Sequence, residues 1–266
     1  MVDCIDPGKI IGQIRRKLGN FQVDITARQR RIPLKKETDH IDTLQYEPTV
    51  PSWNDFPYGG DIFKEFQRRV NGDHLHVLEI GSRIVTPGST SKRSLFHNAA
   101  SYTGFDYYKD DNTDVVGDAH RLSRYFQSHF NAIFSIAVLE HIAIPWVFVM
   151  ELNKLLEKGG ITYHETLFSW PLHERPWDFW RFSDQGLKVL FSPAMGFRVL
   201  NVGFFHPVKI FPHPMIAGQE TMVDNPAFGC VAILAEKYAD INPQKFTWNT
   251  GLDEILGAEC VYPHEK

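Results

Sequence analysis

His76-Val-Leu-Glu-Ile-Gly81 reads as a short, buried strand that stops on a glycine. Val77, Leu78 and Ile80 give it an apolar run too short for a helix of ordinary length, which suits a strand covered on both faces. Outward from this stretch the same texture recurs. Ser101-Tyr-Thr-Gly-Phe-Asp106 predicts a second strand, Asp114-Val-Val116 a third and Asn131-Ala-Ile-Phe-Ser-Ile136 a fourth. A helix is expected from near Pro145 to Lys158-Gly159-Gly160, because proline suits the first helical turn and glycine the end. Ile161-Thr-Tyr-His-Glu165 predicts a fifth strand, and Ser183 caps a helix through Phe191. Phe197 to Phe205 and Phe228 to Glu236 predict the sixth and seventh strands. Strands separated by helices imply an α/β fold with a mostly parallel, doubly wound sheet.

The composition agrees. With 43% hydrophobic and 23% charged residues, the 266-residue chain has the make-up of a globular domain with a substantial core. A net charge of −4 gives no electrostatic footprint for general nucleic-acid binding. The three cysteines, Cys4, Cys230 and Cys260, are widely spaced and odd in number. They suggest neither a disulfide framework nor a zinc cluster, so a reducing compartment is expected. The start, Met-Val-Asp-Cys-Ile-Asp, has no leader pattern, and no stretch approaches the roughly 18 apolar residues of a spanning helix. The expected location is the cytoplasm.

Residues 1–72 read as an N-terminal extension, packed on the core or capping the site, and 241–266 as a C-terminal tail. The basic residues Arg15, Arg16, Lys17, Arg28, Arg30, Arg31, Lys35 and Lys36 read as a solvated face. Ile62, Phe63, Phe66 and Val70 have the spacing of a short helix laid on the next element. Two connections are long, Phe168 to Arg181 and His206 to Ala227. Their aromatic residues favour lids over plain linkers. His206 and His213 lack a metal-ligand pattern and read as structural.

Ligands of doubly wound sheets bind beyond the carboxyl ends of the strands, so the residues collected there carry the functional reading. Glu79-Ile-Gly81-Ser82 closes the first strand; Gly81 permits a sharp turn and close approach to a ligand, or is an ordinary tight turn. Asp106 ends the second strand, about 20 to 25 positions further on, where a carboxylate can accept from ribose hydroxyls. Tyr107 beside it can pack on an adenine face. After the third strand, Asp118 can accept from an exocyclic amine, with Ala119 leaving room for the ring, or Asp118 is a helix cap. Ser135 lies near the end of the fourth strand.

This order resembles the class I S-adenosylmethionine-dependent methyltransferases, in particular the type 11 group. The matching stretches are Val77-Leu-Glu-Ile-Gly81, Tyr102-Thr-Gly-Phe-Asp106, Val116-Gly-Asp-Ala119, Phe134-Ser-Ile-Ala-Val-Leu-Glu-His141 and Leu155-Leu-Glu-Lys-Gly-Gly160. The resemblance implies a Rossmann-like, seven-stranded sheet with its last strand antiparallel, residues 73–240 as the methyltransferase domain, and S-adenosylmethionine as cofactor. It implies that Glu79, Gly81, Ser82, Asp106, Tyr107, Asp118, Ala119 and Ser135 form the cofactor site. The family's G-x-G-x-G loop is here Gly81-Ser-Arg-Ile-Val-Thr-Pro-Gly88, which keeps only the first glycine. A catalytically degenerate binding or scaffold protein is the alternative this change motivates. The same loop lacks the G-x-G-x-x-G turn that a dinucleotide pyrophosphate needs.

A sulfonium methyl is already activated, so the protein's task is alignment and, for a hydroxyl acceptor, removal of a proton. His141 and His164 are the candidate catalytic residues, with Glu140 and Glu165 beside them. Ubiquinone-type O-methyltransferases resemble this segment and hold a divalent metal. Glu140 and His141 match two of its ligands, but Ala137 stands at the first, so no metal is expected. Trp177, Trp180 and Arg181 either wall the substrate side or belong to a loop pinned to the core by its tryptophans. No D-P-P-Y signature follows the fourth strand and no Pro-Cys nucleophile is present. A small-molecule or glycan acceptor is therefore expected rather than DNA, with protein and tRNA left open.

Overall fold

A computed structural model describes residues 53–86, 88–210 and 226–241. The basic residues between Arg15 and Lys36, Cys4, His213, Cys260 and the tail from 242 onward lie outside the described residues. Helix α1 (Gly59–Gly72) precedes strand β1 (His76–Ile80), and β2 (Ser101–Asp106), β3 (Val115–Val116) and β4 (Phe130–Ile136) follow. Helix α2 (Pro145–Leu155) leads into β5 (Leu156–Leu167), α3 (Asp184–Leu190) into β6 (Phe197–Val208), and β7 (Ala227–Lys237) is last. All seven strands form one sheet in the order β3-β2-β1-β4-β5-β7-β6. β1 lies parallel to β2 and β4, and β4 parallel to β5. β7 runs antiparallel to both neighbours, β5 and β6. The expected fold, Rossmann-like and seven-stranded with an antiparallel last strand, is borne out.

Alternation along the strands divides the core into two layers. Leu78, Ile80 and Ile133 face α2 and α3, where Phe148, Val149, Leu152 and Leu187 complete one cluster. Val77, Ala132, Phe134 and Tyr163 face the other way, onto Ile62, Phe66 and Val70 of α1. Phe66 and Val70 are fully buried, and burial of each such side chain contributes about 1.5–3 kcal/mol. Phe66 also meets Phe96, Phe134 and Tyr163 with ring centroids 5.7–5.9 Å apart. The apolar spacing read in Ile62-Phe63-Phe66-Val70 is the stripe that seats this helix.

Two local expectations change. Helix α2 stops at Leu155, not at the glycines after Lys158. The buried Lys237 ammonium donates to the carbonyls of Asn153 and Leu156 at 2.6 and 2.8 Å. It thereby satisfies acceptors that a further helical turn would have used. The β4–β5 register then jumps from Phe130↔Leu156 to Ala132↔Ile161, so residues 157–160 bulge out. Gly159 turns there at φ +86°. The connections after β1 and β3 are short 3₁₀ helices, Lys92–Phe96 and Ala119–Arg124, rather than α-helices. No helix among the described residues is long and apolar enough to cross a membrane.

Candidate functional site

The carboxyl ends of β1, β2 and β4 lie at Ile80, Asp106 and Ile136. A cavity of about 560 Å³ opens between them, a size ordinary for a small-molecule site. Gly81, Asp106, Tyr107, Asp118 and Ala119 line one part of it; Glu140, His141, His173 and Trp177 line another.

Gly81 has φ +78°, and a Cβ there would stand 2.3 Å from Val138 Cγ2. Both the backbone angle and the close approach demand glycine. The amides of Gly81 and Ser82 donate to the carbonyl of Phe105 at 2.9 and 3.1 Å, which fixes the turn against β2. Asp106 accepts from the backbone amides of Arg83 at 3.1 Å and Tyr108 at 3.1 Å. Its carboxylate is therefore held in place at the rim of the cavity. Arg83 Nε lies 3.6 Å from Asp106 Oδ1, is buried, and has no hydrogen-bond partner. Asp118 caps the 3₁₀ helix after β3, accepting from the His120 amide at 2.9 Å and ring Nδ1 at 2.7 Å. Burial pushes its pKa up, but the bonds from His120 outweigh this and hold the carboxyl below its ordinary range. Asp118 thus caps the 3₁₀ helix and also lines the cavity.

Three expected cofactor residues stand behind this wall rather than on it. Glu79 is buried and accepts from Lys92 Nζ at 3.1 Å and from the Tyr102 hydroxyl; Lys92, not Glu79, reaches the cavity. Ser82 Oγ shares a hydrogen bond with Thr113 at 3.1 Å, and Asn112 Nδ2 donates to the Ser82 carbonyl at 2.7 Å. Ser135 Oγ is bonded to His164 Nδ1 at 2.7 Å, within the core.

The acceptor side differs more from expectation. His164 is fully buried, with Nε2 bonded to Thr162 Oγ1 at 2.6 Å and its ring stacked on Phe191 at 5.0 Å. Burial pushes its pKa down to about 3, so the ring is neutral, and it does not line this cavity. His141 does face it. Its Nδ1 donates to the Trp177 carbonyl at 2.8 Å, and its Nε2 lies 3.7 Å from Glu174 Oε2. The long connection after β5 folds back over the β4 exit. Phe179 and Trp180 amides both donate to the Glu140 carbonyl, at 2.9 and 3.3 Å. Trp177 is buried and lines the cavity. Trp180 instead packs beside Trp146 and Phe182, with Nε1 on the Ala143 carbonyl at 3.3 Å. Arg181 grips Asp178 at 2.5 and 2.9 Å and donates to the carbonyls of Trp170 and Pro171. The expected wall of Trp177, Trp180 and Arg181 thus contributes only Trp177 to the cavity, because the guanidinium is spent on holding the loop.

Arg83, Lys92, His120, His173 and Cys230 line the cavity without having been expected there. Burial pushes the Cys230 thiol up to about 12, so it offers no thiolate nucleophile at neutral pH. Glu140 is fully buried, and burial raises its pKa above the usual carboxylate range. One of its oxygens accepts from Thr166 Oγ1 at 2.7 Å, while Oε1 has no hydrogen-bond partner. Ligand atoms of Glu140, His141 and His173 lie within 4.8 Å of one another. Absence of a ligand at Ala137 was the ground for expecting no metal. The folded chain supplies a third donor from a different segment.

No protein-family model matches the chain, and no curated protein matches its sequence. Solved structures are similar in fold. An S-adenosylmethionine-dependent methyltransferase from Archaeoglobus fulgidus is 16% identical, over 66% of this chain and 94% of that one, with a TM-score of 0.46. Another from Mesorhizobium loti is 14% identical, over 66% of this chain and 96% of that one, at 0.45. The cyclase SpnF is 16% identical, over 72% of this chain and 85% of that one, at 0.44.

Proposed function

We propose that the chain is an S-adenosylmethionine-dependent methyltransferase acting on a small molecule or glycan, by in-line transfer to an oxygen or nitrogen nucleophile. The observation that carries this reading is the convergence of Gly81, Asp106, Tyr107, Asp118 and Ala119, from three separate strand ends, on one part of a single cavity. The residues fit the group. Gly81 presents bare backbone to the cavity, Asp106 offers a fixed acceptor for vicinal hydroxyls, and Arg83 Nε is a buried donor with no hydrogen-bond partner. The cofactor supplies a methyl carbon already activated on a sulfonium centre.

The rest falls to the protein. Asp106 orients the ribose end and Asp118 the base edge, which sets the direction of the reactive end. Trp177 and the folded-back loop exclude water from the acceptor side. His141 Nε2 takes the acceptor's proton, and the acceptor's own lone pair forms the bond to the methyl carbon as the C–S bond breaks and its electron pair stays on sulfur. His164 has no part in this, being sealed in the core. We assign residues 73–240 to this methyltransferase domain and 1–72 to an extension, with the cytoplasm as its compartment.

The test is equilibrium dialysis with methyl-labelled S-adenosylmethionine. The wild type is expected to retain one equivalent, and Asp106→Ala to bind about 10–100-fold more weakly. That range corresponds to the ~1.5–3 kcal/mol of a hydrogen bond to a charged group. Failure of the wild type to retain label at millimolar ligand would sink the reading and favour a scaffold role.

A further inference from the structure

We propose that Glu140, His141 and His173 bind one divalent transition-metal ion on the acceptor side of the cavity. Three side chains from two segments bring ligand atoms within 4.8 Å of one another, and all three line the cavity. Proximity alone would not carry the inference; the surrounding hydrogen bonds do.

Glu140 is 0% exposed, and its Oε1 is buried with no donor. Thr166 Oγ1 donates to the other oxygen at 2.7 Å, which fixes the carboxyl plane and aims Oε1. A buried oxygen without a partner is costly to keep, and a cation would satisfy it. His141 has its Nδ1–H committed to the Trp177 carbonyl at 2.8 Å. Metal-bound histidines ordinarily show this arrangement, in which one nitrogen is tied to a carbonyl and the other is left with its lone pair. The His173 ring meets the His141 ring edge-on at 5.0 Å. Its Nδ1 is buried without a hydrogen-bond partner and lies 3.5 Å from Asp178 Oδ2. Asp178 is itself held by Arg181 and accepts from the His173 amide at 3.0 Å. The segment carrying His173 is stitched to Glu140's own carbonyl through Phe179 and Trp180. One orphaned buried carboxylate oxygen and two imidazoles, one of them tied to a carbonyl, therefore lie within reach of one another on a braced support. Glu174 Oε2, 3.7 Å from His141 Nε2, stands beside the group.

Two imidazoles and a carboxylate favour zinc-like or ferrous ions over magnesium or calcium, which take oxygen donors. Three protein ligands leave at least one coordination position directed at the cavity. On the methyltransferase reading, on which this consequence alone rests, that position takes an acceptor hydroxyl. With the ion bound, His141 Nε2 is a ligand and no longer the base; the ion lowers the hydroxyl's pKa and its proton passes to solvent. The oxygen lone pair then forms the O–CH₃ bond, the C–S bond breaks, and its electron pair stays on sulfur.

The test uses the full chain stripped with a chelator and titrated with cobalt(II), followed by visible absorption and displacement by zinc. One equivalent is expected, displaced by zinc and not by magnesium. His141→Ala, His173→Ala and Glu140→Gln should each weaken binding by more than the ~10–100-fold that loss of an outer partner costs. X-ray absorption of the zinc-loaded wild type should count two imidazoles, a measurement that stands even if a variant fails to fold. Folded wild type that takes up no cobalt stoichiometrically, or zinc with fewer than two imidazoles, overturns the proposal. S-adenosylhomocysteine titration of the stripped protein separates the two claims. Nucleoside binding without metal uptake refutes the metal site alone, whereas metal uptake without nucleoside binding upholds the site and removes the methyltransferase reading.

Discussion

Replacing Glu165 by glutamine removes a carboxyl that the fold has half-hidden near the end of β5, with Tyr163 donating its hydroxyl to Oε2 at 3.2 Å. Burial raises the Glu165 pKa from 4.5 to about 7. The Tyr163 hydrogen bond and Lys92 oppose that rise, and the Glu140 charge adds to it. The folded chain thus holds this proton more tightly than the unfolded chain does. Its contribution to stability is complete below pH 4.5 and is lost as pH rises through 7. At ~1.4 kcal/mol per pH unit the loss is about 3 kcal/mol. Glutamine keeps a carbonyl for Tyr163 and cannot titrate. The stability of the wild type relative to Glu165→Gln should therefore fall by about 3 kcal/mol between pH 4.5 and pH 8. Glu140 is present in both proteins, so its own titration largely cancels in the comparison. Urea unfolding followed by tryptophan fluorescence at several pH values measures it. A wild-type-minus-variant difference that stays constant across that range would refute the reasoning.

Gly81→Ala forces a Cβ to 2.3 Å from Val138 Cγ2 at φ +78°. The left-handed angle costs about 1–2 kcal/mol and the overlap about 1–3. Chemical denaturation should show a loss of this size, part of which Val138→Ala restores; unchanged stability would mean that the turn relaxes freely. His141→Ala should lower methyl transfer by about 10²-fold or more, whether its Nε2 acts as a positioned base or holds the ion that lowers the acceptor's pKa. S-adenosylhomocysteine affinity should move little, since its ring faces the acceptor side. A variant that loses affinity and keeps turnover would reverse that assignment.

Some parts of this molecule were legible in its sequence because the forces behind them are local. Short apolar runs ending on Gly81, Asp106 and Asp118 gave the strand ends, and strand ends of a doubly wound sheet are where a cavity forms. The face of α1 followed from the spacing of four apolar residues. What failed was set by partners far along the chain. Helix α2 ends early because Lys237, over 80 positions away, takes its last carbonyls. Arg181 looked like a substrate contact because a charged residue beside tryptophans often is one. Its donors are instead consumed by Asp178 and by carbonyls of its own loop. His164 and Ser135 sit at adjacent strand ends, but the pleat turns both into the core, where they bond to each other. His173 could not be found from spacing, since it reaches Glu140 and His141 only when the loop after β5 folds back. Arg83 stood in the altered glycine loop, and that departure from the family pattern was the one signal available.

The central claim is that the cavity beside Gly81, Asp106 and Asp118 takes an uncharged nucleoside tail. Calorimetric titration of the purified full chain with S-adenosylhomocysteine, with NAD as the parallel ligand, tests it most directly. Saturable one-to-one binding of S-adenosylhomocysteine, weakened about 10–100-fold in Asp106→Ala and absent with NAD, is the predicted result. Binding of NAD instead, or of neither ligand by the folded protein, would contradict it.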